Sequence, residues 1–211
     1  MRDNKSNFLS GVSHYYTSKL NQHGQTPQGV DWNDENCQKL RFNNLCKIIE
    51  SLNDFSLNDL GCGYGALYDF LCTRYEKFSY CGIDISESMI QAASQRYHHI
   101  QQTRFLSSTE PDQLADYGIA SGIFNVRLDK SNAEWQSYIE STLDDLYRYS
   151  RIGFSFNCLT SYSDAEKMRD KLYYADPCMI FDLCKKRYSR NVALLHDYGL
   201  YEFTILVRKQ P

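Results

Sequence analysis

The chain has 211 residues, 42 % hydrophobic and 23 % charged, which suits one well-buried α/β domain and is too short for two large ones. A net charge of −3 and an isoelectric point near 5.9 supply no global field to draw nucleic acid or an anionic membrane. No run approaches the roughly 18 apolar residues of a membrane-spanning helix, and the opening "MRDNKSNFLSG" lacks a signal-peptide core, so a cytoplasmic protein is expected. Eight scattered cysteines with no CxxC pair then read as reduced thiols, and no metal is implied.

In chain order, Phe8 to Leu20 reads as a helix with Leu9, Val12, Tyr16 and Leu20 on one side. Gly24, Pro27 and Gly29 break it, and Asn33 is placed to cap a second helix that packs through Leu45, Ile48, Ile49 and Leu52. Alternation follows: "FSLNDL" as strand, "YGALYDFLCTRY" as helix, "FSYCGIDI" as strand, and "SESMIQAASQRYHH" as helix with Ser86 as N-cap. "TRFLS" and "YGIASGIF" are the next strands. A capping box of Ser131 and Glu134 opens a long helix through Tyr147. "RIGFSFNCL" is the fifth strand; Ser163 and Glu166 form a second capping box, and Asp176-Pro177 starts a further helix.

"NVALLHDYGLYEFTILVRK" closes the chain with two strand-like runs around Tyr198-Gly199, a link short enough to require an antiparallel hairpin. The pattern predicts a Rossmann-like open α/β sheet, mostly parallel with a closing antiparallel hairpin and helices on both faces. Residues 1–52 precede the alternation and are expected to form an N-terminal helical cap, with 53–211 as the core of one domain.

Within "LNDLGCGYGALYDFL", Gly61, Gly63 and Gly65 crowd a turn between strand and helix. Such a turn at the carboxyl end of a strand is where open α/β sheets bind ligands. A sharp turn with tight packing is the structural alternative. Asp84 ends the following strand, where an acid accepts hydrogen bonds from ribose hydroxyls; capping the next helix is its other reading.

The spacing is G-x-G-x-G with Asp59 ahead of it, not the G-x-G-x-x-G of dinucleotide folds. It resembles the class I S-adenosylmethionine-dependent methyltransferases, from Ser56 to Lys209 and including the closing hairpin. The resemblance implies S-adenosyl-L-methionine as cofactor. Gly61, Cys62 and Gly63 would run beneath its methionine portion, Asp84 would hold the ribose, and Ile85 and Met89 would line the adenine. Ser107 and Ser108 would meet the adenine edge where many relatives carry an aspartate, and Ser121 and Gly122 would border cofactor and substrate. Asn58 stands where relatives usually have an aliphatic residue.

Arg41 is expected either to pair with the cofactor carboxylate or to be an exposed helix arginine, and Tyr16 either to line the cofactor or to sit in the core. Methyl transfer needs a base only if the acceptor must lose a proton; His196, at the expected hairpin tip, is the candidate. The basic run "CKKRYSRN" complements a helix C-terminus or forms a phosphate patch. The expected reaction is methylation of an oxygen or nitrogen of a small-molecule metabolite, with a small molecule rather than nucleic acid or a membrane as the expected partner. Methylation of RNA or protein, or a scaffold that binds cofactor without catalysis, are the alternatives.

Overall fold

Apolar runs separated by capped helices become the strands of one sheet. The computed structural model describes residues 2–51 and 54–209, with side chains from Lys5 onward. The N-terminal region holds α1 (Arg2–Phe8), α2 (Ser10–His23) and α3 (Glu35–Leu45). Then come β1 (Phe55–Leu60), α4 (Ala66–Cys72), β2 (Phe78–Asp84), α5 (Glu87–Arg96), β3 (Thr103–Ser107) and β4 (Ala115–Ala120). The remainder comprises α6 (Asn132–Arg148), β5 (Ser150–Thr160), β6 (Tyr174–Ala175), α7 (Pro177–Arg187), β7 (Asn191–Leu195) and β8 (Glu202–Arg208).

The sheet runs β3-β2-β1-β4-β5-β8-β7, with β6 paired to β5. Strands β1 to β5 are parallel, and β8 enters antiparallel between β5 and β7. This is the expected open sheet with its closing hairpin. Strand order reverses between β1 and β4, so the carboxyl ends of those strands border a crevice. Two apolar layers cover the sheet. On one face Leu60, Ile83 and Phe156 pack with Trp135, Ile139 and Leu143 of α6 and with Leu9 and Val12. On the other, Leu57, Tyr80 and Leu206 pack with Phe42 and Leu45 of α3 and Leu67 and Leu71 of α4. Burying one such side chain contributes about 1.5–3 kcal/mol.

Local signals placed most helix starts. Ser131 and Glu134 make the capping box of α6, Ser86 accepts from Met89 N to cap α5, and Asp176 caps α7 ahead of Pro177. Several boundaries differ from the sequence expectation. The cap of α3 is Asp34, whose extended backbone lets its carboxylate accept from Cys37 N at 2.7 Å, rather than Asn33. That helix gives way to a 3-10 turn at Cys46–Ile48, and Leu52 lies outside the described residues. Strand β4 stops at Ala120, not at Phe124, because Gly122 turns the chain with φ 75° and donates its N–H to Asn157 Oδ1.

The second capping box does not form. Ser163 Oγ donates to Thr160 O instead, and only a single 3-10 turn at Ala165–Lys167 follows. Long-range pairing explains this: Arg127 N and Leu128 N donate to Lys171 O, and Tyr173 N to Asn125 O, holding the segment extended into β6. The basic run at the end of α7 is largely paired within the chain. Arg187 reaches Glu140 and Asp144 on α6, and Lys186 reaches Asp182.

Candidate functional site

Three left-handed glycines build the first cleft, at φ 80° for Gly61, 55° for Gly63 and 89° for Gly65. Their reasons differ. A Cβ at Gly65 would lie 2.5 Å from the Tyr97 ring, whose hydroxyl donates to Gly65 O at 2.9 Å; this glycine serves helix packing. Cβ atoms at Gly61 and Gly63 would instead meet Ile123 Cγ2 at 2.0 Å and Val30 Cγ1 at 2.9 Å, side chains that line the cleft. The turn is anchored to β2, because Gly61 N and Cys62 N both donate to Ile83 O.

Asp84 braces the same turn from β2. One carboxylate oxygen accepts from Gly63 N at 2.9 Å and the other from Ser86 N at 2.8 Å. Burial raises its pKa, while those N–H groups pull in the opposite direction. Asp59, buried at the end of β1, accepts from the Tyr80 hydroxyl at 2.5 Å, and burial pushes its carboxyl up to about 7. Cys62 is buried, and burial holds its thiol well above the ordinary value, so it is a neutral space-filler. Ser121 Oγ is buried without a hydrogen-bond partner among the described residues. The cavity between these walls measures about 90 Å³.

The roof comes from the N-terminal region. Tyr16, Val30 and Trp32 line this cleft and also a second, larger one on their far side. Ser13 Oγ donates to Ile85 O at 3.2 Å, and the Thr17 and Ser86 hydroxyls lie 2.9 Å apart, which seats α2 on the end of β2. Burial raises the Tyr16 phenol, which stays protonated.

A buried polar chain joins the clefts. Gly122 N donates to Asn157 Oδ1 at 2.7 Å, and Asn157 Nδ2 donates to Glu202 Oε2 at 2.5 Å. Glu202 accepts from Arg41 Nε at 2.9 Å and Nη2 at 2.6 Å. The Arg41 guanidinium lies over the Trp32 ring at 3.9 Å, and the same indole presses on Gly122, where a Cβ would be 2.4 Å away. Trp32 thus touches both the wall of one cleft and the floor of the other. Around the second cleft, Asp31 is matched by Lys19 at 2.6 Å and by the Tyr15 hydroxyl at 2.7 Å.

Of the residues singled out from sequence, Tyr16, the glycine turn from Gly61 to Gly63, and Asp84, Ile85 and Met89 line the first cleft. So do Ser108, Ser121 and Gly122. Three lie elsewhere. Ser107, the last residue of β3, is exposed and does not line the cleft; its neighbours Ser108 and Thr109 do. Arg41 is neither exposed nor at the first cleft, because Glu202 draws it to the second. His196 is exposed at the hairpin, beside Tyr162 and Phe203, and lines neither cleft.

Sequence reasoning missed Val30, Thr109, Tyr138, Asn157 and Glu202. A faint signal existed for the last two: each is a polar side chain in a strand most of whose residues are buried. Among the described residues, no group of acidic, histidine or cysteine side chains is arranged to hold a metal. None of the described helices is long and apolar enough to cross a membrane.

The family profile described as a methyltransferase domain matches residues 58–149. A candidate methyltransferase of Mycobacterium tuberculosis is 61 % identical over 163 residues, spanning 77 % of this chain and 98 % of that protein. Among solved structures, the N-methyltransferase NodS from Bradyrhizobium japonicum in complex with S-adenosylhomocysteine superposes with a TM-score of 0.67 at 14 % identity, covering 94 % of this chain and 98 % of NodS. Human N-acetylserotonin methyltransferase in complex with S-adenosylmethionine gives 0.60 at 17 % identity, over 81 % of this chain and 52 % of that one. At such identities the structural likeness speaks to the fold.

Proposed function

The chain belongs to the methyltransferase family, within the class I S-adenosylmethionine-dependent superfamily, and from that premise we propose that it methylates an oxygen or nitrogen of a small metabolite. One observation carries the reading: two clefts lie back to back and share Tyr16, Val30 and Trp32 as their common wall. Transfer would require the acceptor atom to reach past these shared residues to the sulfonium methyl, in line with the bond to sulfur that breaks.

The first cleft fits the cofactor on its own chemistry. Gly61 and Gly63 carry no side chain, which lets Ile123 and Val30 close against the turn and leaves its backbone facing the cleft. Asp84 keeps lone pairs for ribose hydroxyls beyond the two N–H groups it accepts, and the orphaned Ser121 Oγ lacks a partner that a ligand could supply. Ile85 and Met89 offer an apolar face for the adenine, and Asp59 a carboxylate for the ammonium end. When bound, S-adenosylmethionine supplies a methyl group already activated by its sulfonium.

The chain's own contribution is then positioning and exclusion of water. Orientation alone is worth roughly 7–11 kcal/mol in well-aligned systems. Trp32, in contact with Arg41 and Gly122, would set the edge past which the acceptor reaches the methyl group. No base is assigned, since His196 sits outside both clefts. Residues 1–52 serve as the cover over the 53–211 core, and Leu9, Val12 and Tyr16 contribute to its roof. Small-molecule substrates are in keeping with the N-acetylserotonin enzyme among the structural neighbours.

The test is transfer of label from methyl-labelled S-adenosylmethionine into a cell extract divided by size. The expected product is of low mass. Label in RNA or protein would replace this reading by macromolecular methylation. Binding of S-adenosylhomocysteine with no label transferred anywhere would favour a scaffold.

A further inference from the structure

We propose that the second cleft selects an acceptor bearing an anionic oxygen group, a phosphate or a carboxylate, held between Lys167 and Arg169 at the rim and Arg41 at the floor. This rests on the second cleft being the acceptor site of the reading above. Three observations carry it.

First, the charges of the lining do not balance. Both lining acids are already matched, Asp31 by Lys19 at 2.6 Å and Glu202 by Arg41 at 2.6 Å. Lys167 and Arg169 line the same cleft, are exposed, and have no ion-pair partner among the described residues. Their acidic neighbours in sequence, Asp164, Glu166 and Asp170, do not line it, although Asp164 accepts from the hydroxyl of the rim residue Tyr201. The cleft therefore presents two uncompensated cations, although the protein as a whole carries a net charge of −3. A local excess against the global sign attracts an anion to this mouth alone.

Second, the floor holds an unsatisfied donor. Arg41 is 7 % exposed, and its Nη1 is buried with no hydrogen-bond partner among the described residues, although Nε and Nη2 are both engaged by Glu202. A buried N–H left unpaired is costly, more so on a charged group, and an anionic oxygen is the partner its planar fork suits best. Third, the rim offers ring faces and the Tyr174 hydroxyl for the rest of the ligand, the Tyr201 hydroxyl being taken by Asp164. Tyr174 and the partly exposed Tyr201 both line the cleft. That surface suits an acceptor with an apolar or ring body attached to the charge.

Ligand-observed NMR titrations on the full chain, with S-adenosylhomocysteine saturating, would use phenyl phosphate, benzoate and neutral benzyl alcohol as probes. At least one anion should bind about ten-fold more tightly than benzyl alcohol, and the preferred anion separates phosphate from carboxylate recognition. The double variant Lys167→Gln, Arg169→Gln should lose that advantage while its affinity for S-adenosylhomocysteine stays within about two-fold of the wild type. Both residues are exposed, so the variant should fold. Equal binding of the neutral probe, or an anion preference untouched by the double variant, overturns the proposal. Failure of the wild type to bind S-adenosylhomocysteine would instead overturn the methyltransferase reading, whatever the anion probes do.

Discussion

The two clefts are built differently. The walls of the first follow the carboxyl ends of adjacent parallel strands: Asp59 to Gly63 after β1, Asp84 to Met89 after β2, Ser108 and Thr109 after β3, and Ser121 to Ile123 after β4. Its geometry is mostly backbone: glycines at positive φ, and N–H groups that Asp84 accepts. The second cleft is assembled from Trp32, Arg41, Asn125, Arg169, Tyr174 and Glu202, residues that only the fold brings together. Its geometry is mostly side chain, centred on one buried ion pair. A site made of strand-end turns comes with the fold, whereas a site made of loops and a cap is free to vary with the ligand.

That contrast predicts where each cleft is fragile. The largest effect is expected at the second. Glu202→Gln leaves the Arg41 charge buried without its counterion and should cost about 3–5 kcal/mol of unfolding free energy in urea titrations. The pair replacement Arg41→Met with Glu202→Leu should cost less than half as much, because no charge is then stranded. A loss under about 1 kcal/mol for the single variant would mean that this polar chain is not what organises the second cleft.

At the first cleft a pH effect should set Asp59 apart. Its carboxyl lies near 7 in the folded chain against an ordinary value of 3.8, since burial penalises the charged form. The folded protein therefore binds this proton more tightly than the unfolded one. The resulting stabilisation is complete below pH 3.8 and is lost as pH rises to about 7. Asp59→Asn should flatten the fall of the urea midpoint across that window. Parallel profiles for the two proteins would remove Asp59 as its cause.

Ligand binding gives the next two effects. Gly63→Val puts a branched side chain at φ 55° and against Val30, where the Cβ alone would lie at 2.9 Å. Calorimetric titration with S-adenosylhomocysteine should show more than about a hundred-fold loss of affinity, with the circular dichroism spectrum still folded. Normal binding would mean that the glycine only turns the chain. Asp84→Ala should weaken the same titration by roughly 1.5–3 kcal/mol, the value of a hydrogen bond to a charged group. Asp84 lines the first cleft and not the second, so anion-probe binding in the second should persist in Asp84→Ala.

Much of this was legible in the residues themselves. Periodicity, caps and the short link at Gly199 specify the open sheet and its hairpin, since each is a local preference with a single satisfactory tertiary outcome. The glycine turn and Asp84 are legible for the same reason: positive φ and a strand-end acid leave a mark at fixed positions. What the tertiary structure alone decided is where local signals compete or partners are distant. Ser163 and Glu166 spell a helix start, yet pairing of Lys171 and Tyr173 with the loop after β4 holds that segment extended. Arg41 reads as a ligand for a carboxylate, and the carboxylate it finds is Glu202, 161 residues away. His196 reads as a base at the sheet's active edge, and the hairpin carries it outward beside Tyr162. A charged side chain takes whichever partner folding brings within reach as water is excluded, and sequence spacing does not encode that distance.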